Sequence, residues 1–181
     1  MDCHYEFDAT NRLLSVSDNW DHIAERNDAT DLTRERVLGC ELKSLLHDGG
    51  ARAIYDALFR KVRSGRDKVS FEFRCDTPIE RRTWLMTIGA DQVGTVRIEN
   101  SLLDVSPRTV VALLQHGDSN TDDFVIMCSW CMRLKTGINR WQEIEEGIET
   151  LKLFKNHTCP LISHSICHDC TKEMMQRIDN A

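Results

Sequence analysis

Two pairs of cysteines carry the densest chemistry in this chain: Cys128-Ser129-Trp130-Cys131 and, after a long interval, Cys167-His168-Asp169-Cys170. A C-x-x-C spacing turns two thiols toward one point. Each pair therefore predicts a small knuckle, and two knuckles complete a tetrahedral shell from Cys128, Cys131, Cys167 and Cys170. Thiolates are soft ligands, and a closed sulfur shell suits zinc, which has no redox chemistry of its own. Four sulfurs leave no open position for water or substrate, so the expected zinc is structural and the module non-catalytic. His164 and His168 are the candidates for a hydrogen bond to a ligand sulfur or for an alternative ligand. Cys159 is a spare thiol that could compete for the metal. Elsewhere, Arg74, Arg81 and Arg82 flank one strand turn and could contact an anion, although solvated strand-end charge is the plainer reading.

A C-x-x-C can also be a redox dithiol, but that chemistry expects a strand before it and a long helix after it within a βαβ pattern. Here Gly137 breaks the segment that follows Cys131, and a second pair waits downstream. Gly49-Gly50 lacks the lysine and spacing of a phosphate-binding loop, and no nucleophile elbow or triad is visible. The chain is therefore expected not to be an enzyme.

The elements that must position these residues follow from local pattern. Residues 3–8 and 12–17 alternate as two strands around an Ala9-Thr10-Asn11 turn. A short helix follows from about residue 19, with Trp20, Ile23 and Ala24 on one face, and another short helix is expected over residues 41–46. Ile54, Tyr55, Leu58, Phe59 and Val62 form one stripe of an amphipathic helix over residues 50–64, which Gly65 ends. Three strand patterns come next: Val69, Phe71, Phe73 and Cys75; then Trp84, Met86 and Ile88; then Val96 and Ile98. Pro107 can open a short helix with Val110, Val111, Leu113 and Leu114 as its apolar face. Between the cysteine pairs, residues 141–154 read as a helix with Ile144, Ile148 and Leu151 on one side.

Strands, helices and three further strands make an α+β unit. Over residues 3–105 this order resembles the PAS fold. Tyr5-Glu6-Phe7-Asp8 with Asn11-Arg12-Leu13-Leu14 is similar to the opening hairpin of PAS-like sensors, and Val37-Leu38-Gly39-Cys40-Glu41-Leu42 to the approach to their central helices. Phe71-Glu72-Phe73-Arg74-Cys75-Asp76-Thr77-Pro78 with Arg81-Arg82 is similar to a stretch in uncharacterised bacterial PAS-like proteins. The cysteine segment resembles the end of bacterial sensor proteins that read C-S-x-C, a tryptophan before acidic residues, then S-H-G-x-C-P-x-C. Ser165 stands here where glycine is usual, and His168 where proline is usual.

The resemblance implies a PAS-like antiparallel sheet with flanking helices at 3–105, a linker at 106–123 and a zinc-stapled module at 124–175. It also implies a bacterial sensory or regulatory role exerted by binding a ligand or a protein partner, with dimerisation or that partner carrying the signal. Haem would need His47, and flavin chemistry would need a cysteine context that Cys40 lacks, so neither is expected. A module of about 50 residues is too small to hold together by burial alone, which gives the metal its task. Two alternatives belong to other classes: a thiol switch that releases zinc on oxidation, and a zinc-dependent nucleic-acid binder. A formal net charge of −6 argues against the second. The N-terminus has no signal-peptide core, and no apolar run is long enough to span a membrane. A cytoplasmic protein is expected, with its eight cysteines reduced.

Overall fold

Alternation of apolar residues is realised as two sheets. The computed structural model describes residues 2–27, 29–46, 48–65, 68–91, 93–115, 123–154 and 159–180. His47, the haem candidate, lies outside the described residues. The first sheet contains β1 (Cys3–Phe7), β2 (Leu13–Val16), β3 (Val69–Arg74), β4 (Glu80–Ala90) and β5 (Val96–Pro107), in the order β2-β1-β5-β4-β3 and antiparallel throughout. Asn11, in the left-handed region at φ 65°, closes the opening hairpin. Helices α1 (Trp20–Arg26), α2 (Arg34–Val37), α3 (Leu42–Leu45) and α4 (Gly49–Ser64) connect β2 to β3. This is the element order that the PAS resemblance implies, and the fold is α+β with a PAS-like sheet and flanking helices.

Helix α4 is the expected amphipathic helix. Asp48 caps its start by accepting a hydrogen bond from the Ala51 amide at 2.7 Å. Ile54, Leu58, Phe59 and Val62 are buried against Phe7, Phe71, Ile88, Val96 and Ile98 of the sheet. Alternation along β4 buries Arg82, Trp84, Met86 and Ile88 on that same side. Both later strands run further than their cores suggested, and Pro107 ends β5 where a helix start was expected. A single 3-10 turn (Ala112–Leu114) follows, burying Leu113 and Leu114.

The second sheet has the order β8-β7-β6-β9, from β6 (Phe124–Cys128), β7 (Leu134–Gly137), β8 (Arg140–Gln142) and β9 (Leu161–Ser165). Strands β6 and β9 pair in parallel, with Cys128 opposite Ser165. The helix expected over 141–154 is shorter: Trp141 belongs to β8, and α5 covers Ile144–Leu151. A last helix, α6 (His168–Asn180), lies on α4 and β3 and runs past the expected module end at 175.

Strand β3 is an edge of the first sheet, and its free backbone groups would invite pairing with another chain. The C-terminal segment covers them. The Arg74 amide donates to the Trp130 carbonyl at 2.8 Å, and Arg177 Nη1 donates to the Ser70 carbonyl at 3.1 Å.

Candidate metal centre

Strand β6 delivers Cys128 into a tight turn. The Cys128 amide donates to the Arg133 carbonyl, the Met132 amide donates back to the Cys128 carbonyl, and Met132 takes a left-handed φ of 62°. That turn is the expected knuckle. The second pair departs from expectation, because it forms no second knuckle. Cys167 precedes α6 and Cys170 lies in its first turn, so a helix start, where amides point outward unpaired, presents both sulfurs. The parallel β6–β9 pairing brings the two pairs together, and the Ser129 amide bonds the Ser165 carbonyl at 2.8 Å.

The four sulfurs of Cys128, Cys131, Cys167 and Cys170 all lie within 4.8 Å of one another, and none of the four is in a disulfide. Sulfurs held tetrahedrally about 2.3 Å from a zinc ion stand about 3.8 Å apart. Cys131 Sγ and Cys167 Sγ are 3.8 Å apart, and with all four sulfurs within 4.8 Å of one another the donor set fits such an ion. Amides already aim at the sulfurs: Cys167 N–H at Cys128 Sγ and Cys170 N–H at Cys167 Sγ, both at 3.4 Å. Without a cation the thiols share protons. Hydrogen bonds from the Cys131 and Cys170 thiols hold Cys128 far below the ordinary thiol range. Donating to Cys128 raises Cys131 to about 12 and also raises Cys170. The cluster can hold a metal ion.

His164 and His168 are exposed and stand outside the sulfur cluster, as does Cys159. His164 as a whole keeps much of its surface, yet protein packed around its ring lowers its pKa, against a smaller opposing pull from Cys128.

Trp130, between the first two cysteines, was not singled out by sequence. Its ring is buried in the PAS-like core, edge-on to Phe71 at 5.6 Å and tilted over Tyr55 at 6.5 Å. Helix α6 contributes Met174 and Ile178 to the same core as Cys128 and Cys167. The readable signal was the spacing 167, 170, 174, 178, in which the cysteines begin an apolar helical stripe.

Arg74, Arg81 and Arg82 do gather at the β3–β4 turn, but protein groups hold them. Arg74 pairs with Asp76 and with Glu143, and also donates to the Cys131 carbonyl at 3.2 Å. Arg81 pairs with Glu145 at 3.0 Å. Asp76, whose side chain is fully buried, takes a second cation in Arg108 at 2.8 Å, and Arg108 reaches on to Glu145. Asp76 is the hub that joins β3 and β5 to α5, and sequence gave no sign of it. Among the described residues Arg82 pairs with no carboxylate side chain; its guanidinium bonds the Cys75 carbonyl and Asn27 Oδ1 and lies near Cys75 Sγ.

Fold and site together define a PAS-like α+β unit that carries a four-cysteine cluster. Among solved structures the chain is similar to the PAS-B domain of Drosophila melanogaster Cycle with bound glycerol, at 13% identity and a TM-score of 0.38, over 56% of this chain and 99% of that one. No family model and no curated protein matches the chain. Among the described residues, no helix is long and apolar enough to cross a membrane.

Proposed function

We propose that this chain is a non-catalytic sensory or regulatory module of the bacterial cytoplasm. Its PAS-like unit binds a ligand or protein partner, and Cys128, Cys131, Cys167 and Cys170 hold a structural zinc. The observation that carries this reading is that the sulfur cluster and the PAS-like core are one packed body, joined through Trp130. A metal there fixes the knuckle, the knuckle fixes Trp130, and Trp130 completes the face between α4 and β3. A change at that face then reaches the metal site, and the reverse, through contacts that already exist. The signal passes to a separate protein or across a homodimer.

Elemental analysis of protein purified without added metal tests the reading. One zinc per chain is expected, lost in Cys128→Ser and in Cys170→Ser. Structural zinc contributes on the order of 10 kcal/mol to folding of its module, so each variant should melt at least about 10 °C lower. Folded, metal-free protein that tolerates both substitutions would overturn it.

A thiol switch is the second reading, because Cys131 and Cys170 keep part of their surface exposed. Each pair would give two electrons to one peroxide, forming one S–S bond and releasing water and the zinc. Zinc release by mild peroxide, with disulfides inside the pairs, would favour it. The nucleic-acid alternative loses ground, since Arg74, Arg81, Arg108 and Arg133 beside the cluster are engaged by carboxylates.

A further inference from the structure

A cleft lies between the PAS-like unit and the four-cysteine segment, lined by the β3–β4 turn on one side and by β6 and β9 on the other. It encloses about 660 Å³, a volume ordinary for small-molecule sites. One wall comes from the β3–β4 turn, with Phe73, Cys75 and Arg82. The other comes from β6 and β9, with Met127 and Ile162, and from Met132 in the turn after β6. Apolar side chains line both walls, together with polar groups that include Arg82, Asn27 and Arg26.

Arg82 is a cation that is 8% exposed. Its Nε donates to the Cys75 carbonyl at 2.7 Å and its Nη2 to Asn27 Oδ1 at 3.0 Å, both neutral acceptors. Nη1 makes no hydrogen bond to a described residue. The carboxylate nearest along the chain, Asp76, accepts from the Arg82 backbone amide and is already shared by Arg74 and Arg108. The Arg74 and Arg108 guanidiniums thus share the Asp76 carboxylate, while Arg82 meets it only through its backbone amide and has no acidic side-chain partner among the described residues. A buried charge with no counter-charge is costly, and structures normally supply the missing partner. Arg26, exposed at the same cleft, adds a second cation with no partner among the described residues.

We infer that this cleft binds a small organic carboxylate with an apolar body, its carboxylate on Arg82 and its hydrocarbon between Phe73 and the β6–β9 wall. The open Nη1 supplies a charge-assisted donor to a carboxylate oxygen, and the apolar walls supply affinity in proportion to chain length. Such a ligand would touch both units at once. It deepens the regulatory reading above, since the bound molecule would be the signal.

The test is calorimetric titration of zinc-loaded full-length protein with straight-chain carboxylates from butyrate to decanoate, and with the alcohols of matching length. Affinity should rise about fourfold per added methylene, and the alcohols should bind at least tenfold more weakly. Arg26→Glu, on the exposed rim, should weaken carboxylates several-fold with no change in unfolding temperature. Arg82→Met should abolish binding if it folds. Absence of binding by any carboxylate, equal binding of alcohols, or unchanged binding in Arg26→Glu would overturn the inference. Zinc content measured on the same sample separates this failure from that of the metal reading: full zinc without carboxylate binding sinks only the cleft.

Discussion

The C-terminal segment has two faces with different cores. On one, Cys128, Trp130, Cys167, Met174 and Ile178 merge with α4, β3 and the rest of the PAS-like interior. On the other, Val125, Met127, Leu134 and Ile144 close on Val111, Leu113 and Leu114 in a small core of their own. The sulfur cluster sits on the shared face. A metal ion there would secure a joint between two units, leaving the second core to keep α5 and the hairpin of β7 and β8 in place. Size explains the division of labour, because the second core is too small to hold the segment alone.

The largest effects should come from the shared face. Trp130→Ala is expected to lose about 3–5 kcal/mol in urea unfolding, the usual cost of deleting a buried indole, while all four sulfurs stay in place to hold metal. A loss below about 1 kcal/mol would mean that the ring merely rests against the PAS-like unit. Asp76→Asn should cost about 3 kcal/mol, because Arg74 and Arg108 lose the buried carboxylate they share and Arg108, 3% exposed, keeps only the half-exposed Glu145. Metal content should again be unchanged. Metal loss in this variant would instead place the Asp76 hub upstream of the knuckle, through the Arg74 bond to the Cys131 carbonyl.

Those residues also show what could be read before the structure. The C-x-x-C pairs were legible because metal spacing is a local rule, as were the α4 stripe and the alternation of β3 to β5. The joint was not. Pairing of β6 with β9 spans most of the segment, and periodicity carries no information about which distant strands meet. The second pair looked like the first, yet it opens a helix, since Thr171, Met174 and Ile178 continue the turn that Cys167 and Cys170 start. Trp130 was hidden by its own motif: between two ligands it reads as spacer. Asp76 sat among charges that usually face water, and only tertiary packing makes it a hub. The cleft arginine was visible as a candidate, but its lack of an acidic partner is a property of the fold.

A smaller effect probes the second core. A Cβ on Gly147 would come within 2.8 Å of Leu134 Cβ and 2.9 Å of its Cδ1, and Leu134 is fully buried. Gly147→Ala should therefore destabilise by about 1–3 kcal/mol through overpacking. Metal affinity and the emission of Trp130 should stay as in the wild type if the faces are as separate as their contacts imply. Release of metal by this one methyl would show that the two cores melt as one.

The smallest effect lies where the charge network reaches the surface. Partial burial alone would raise the Glu145 carboxyl, but its own backbone amide and the Arg81 and Arg108 guanidiniums outweigh that and hold it down at about 2. Glu143 is lowered as well, with Arg74 and Arg133 overcoming its burial. A carboxyl whose folded pKa lies below its unfolded value stabilises the fold above the unfolded pKa, here the ordinary 4.5, and loses that contribution as pH falls toward 2. Glu145 is 45% exposed, so screening leaves a few tenths of a kcal/mol. Urea midpoints measured from pH 6 down to pH 3 should therefore fall slightly less steeply in Glu145→Gln than in the wild type. Identical slopes would show that Arg108 is held by Asp76 alone and that the surface end of the network contributes nothing to the joint.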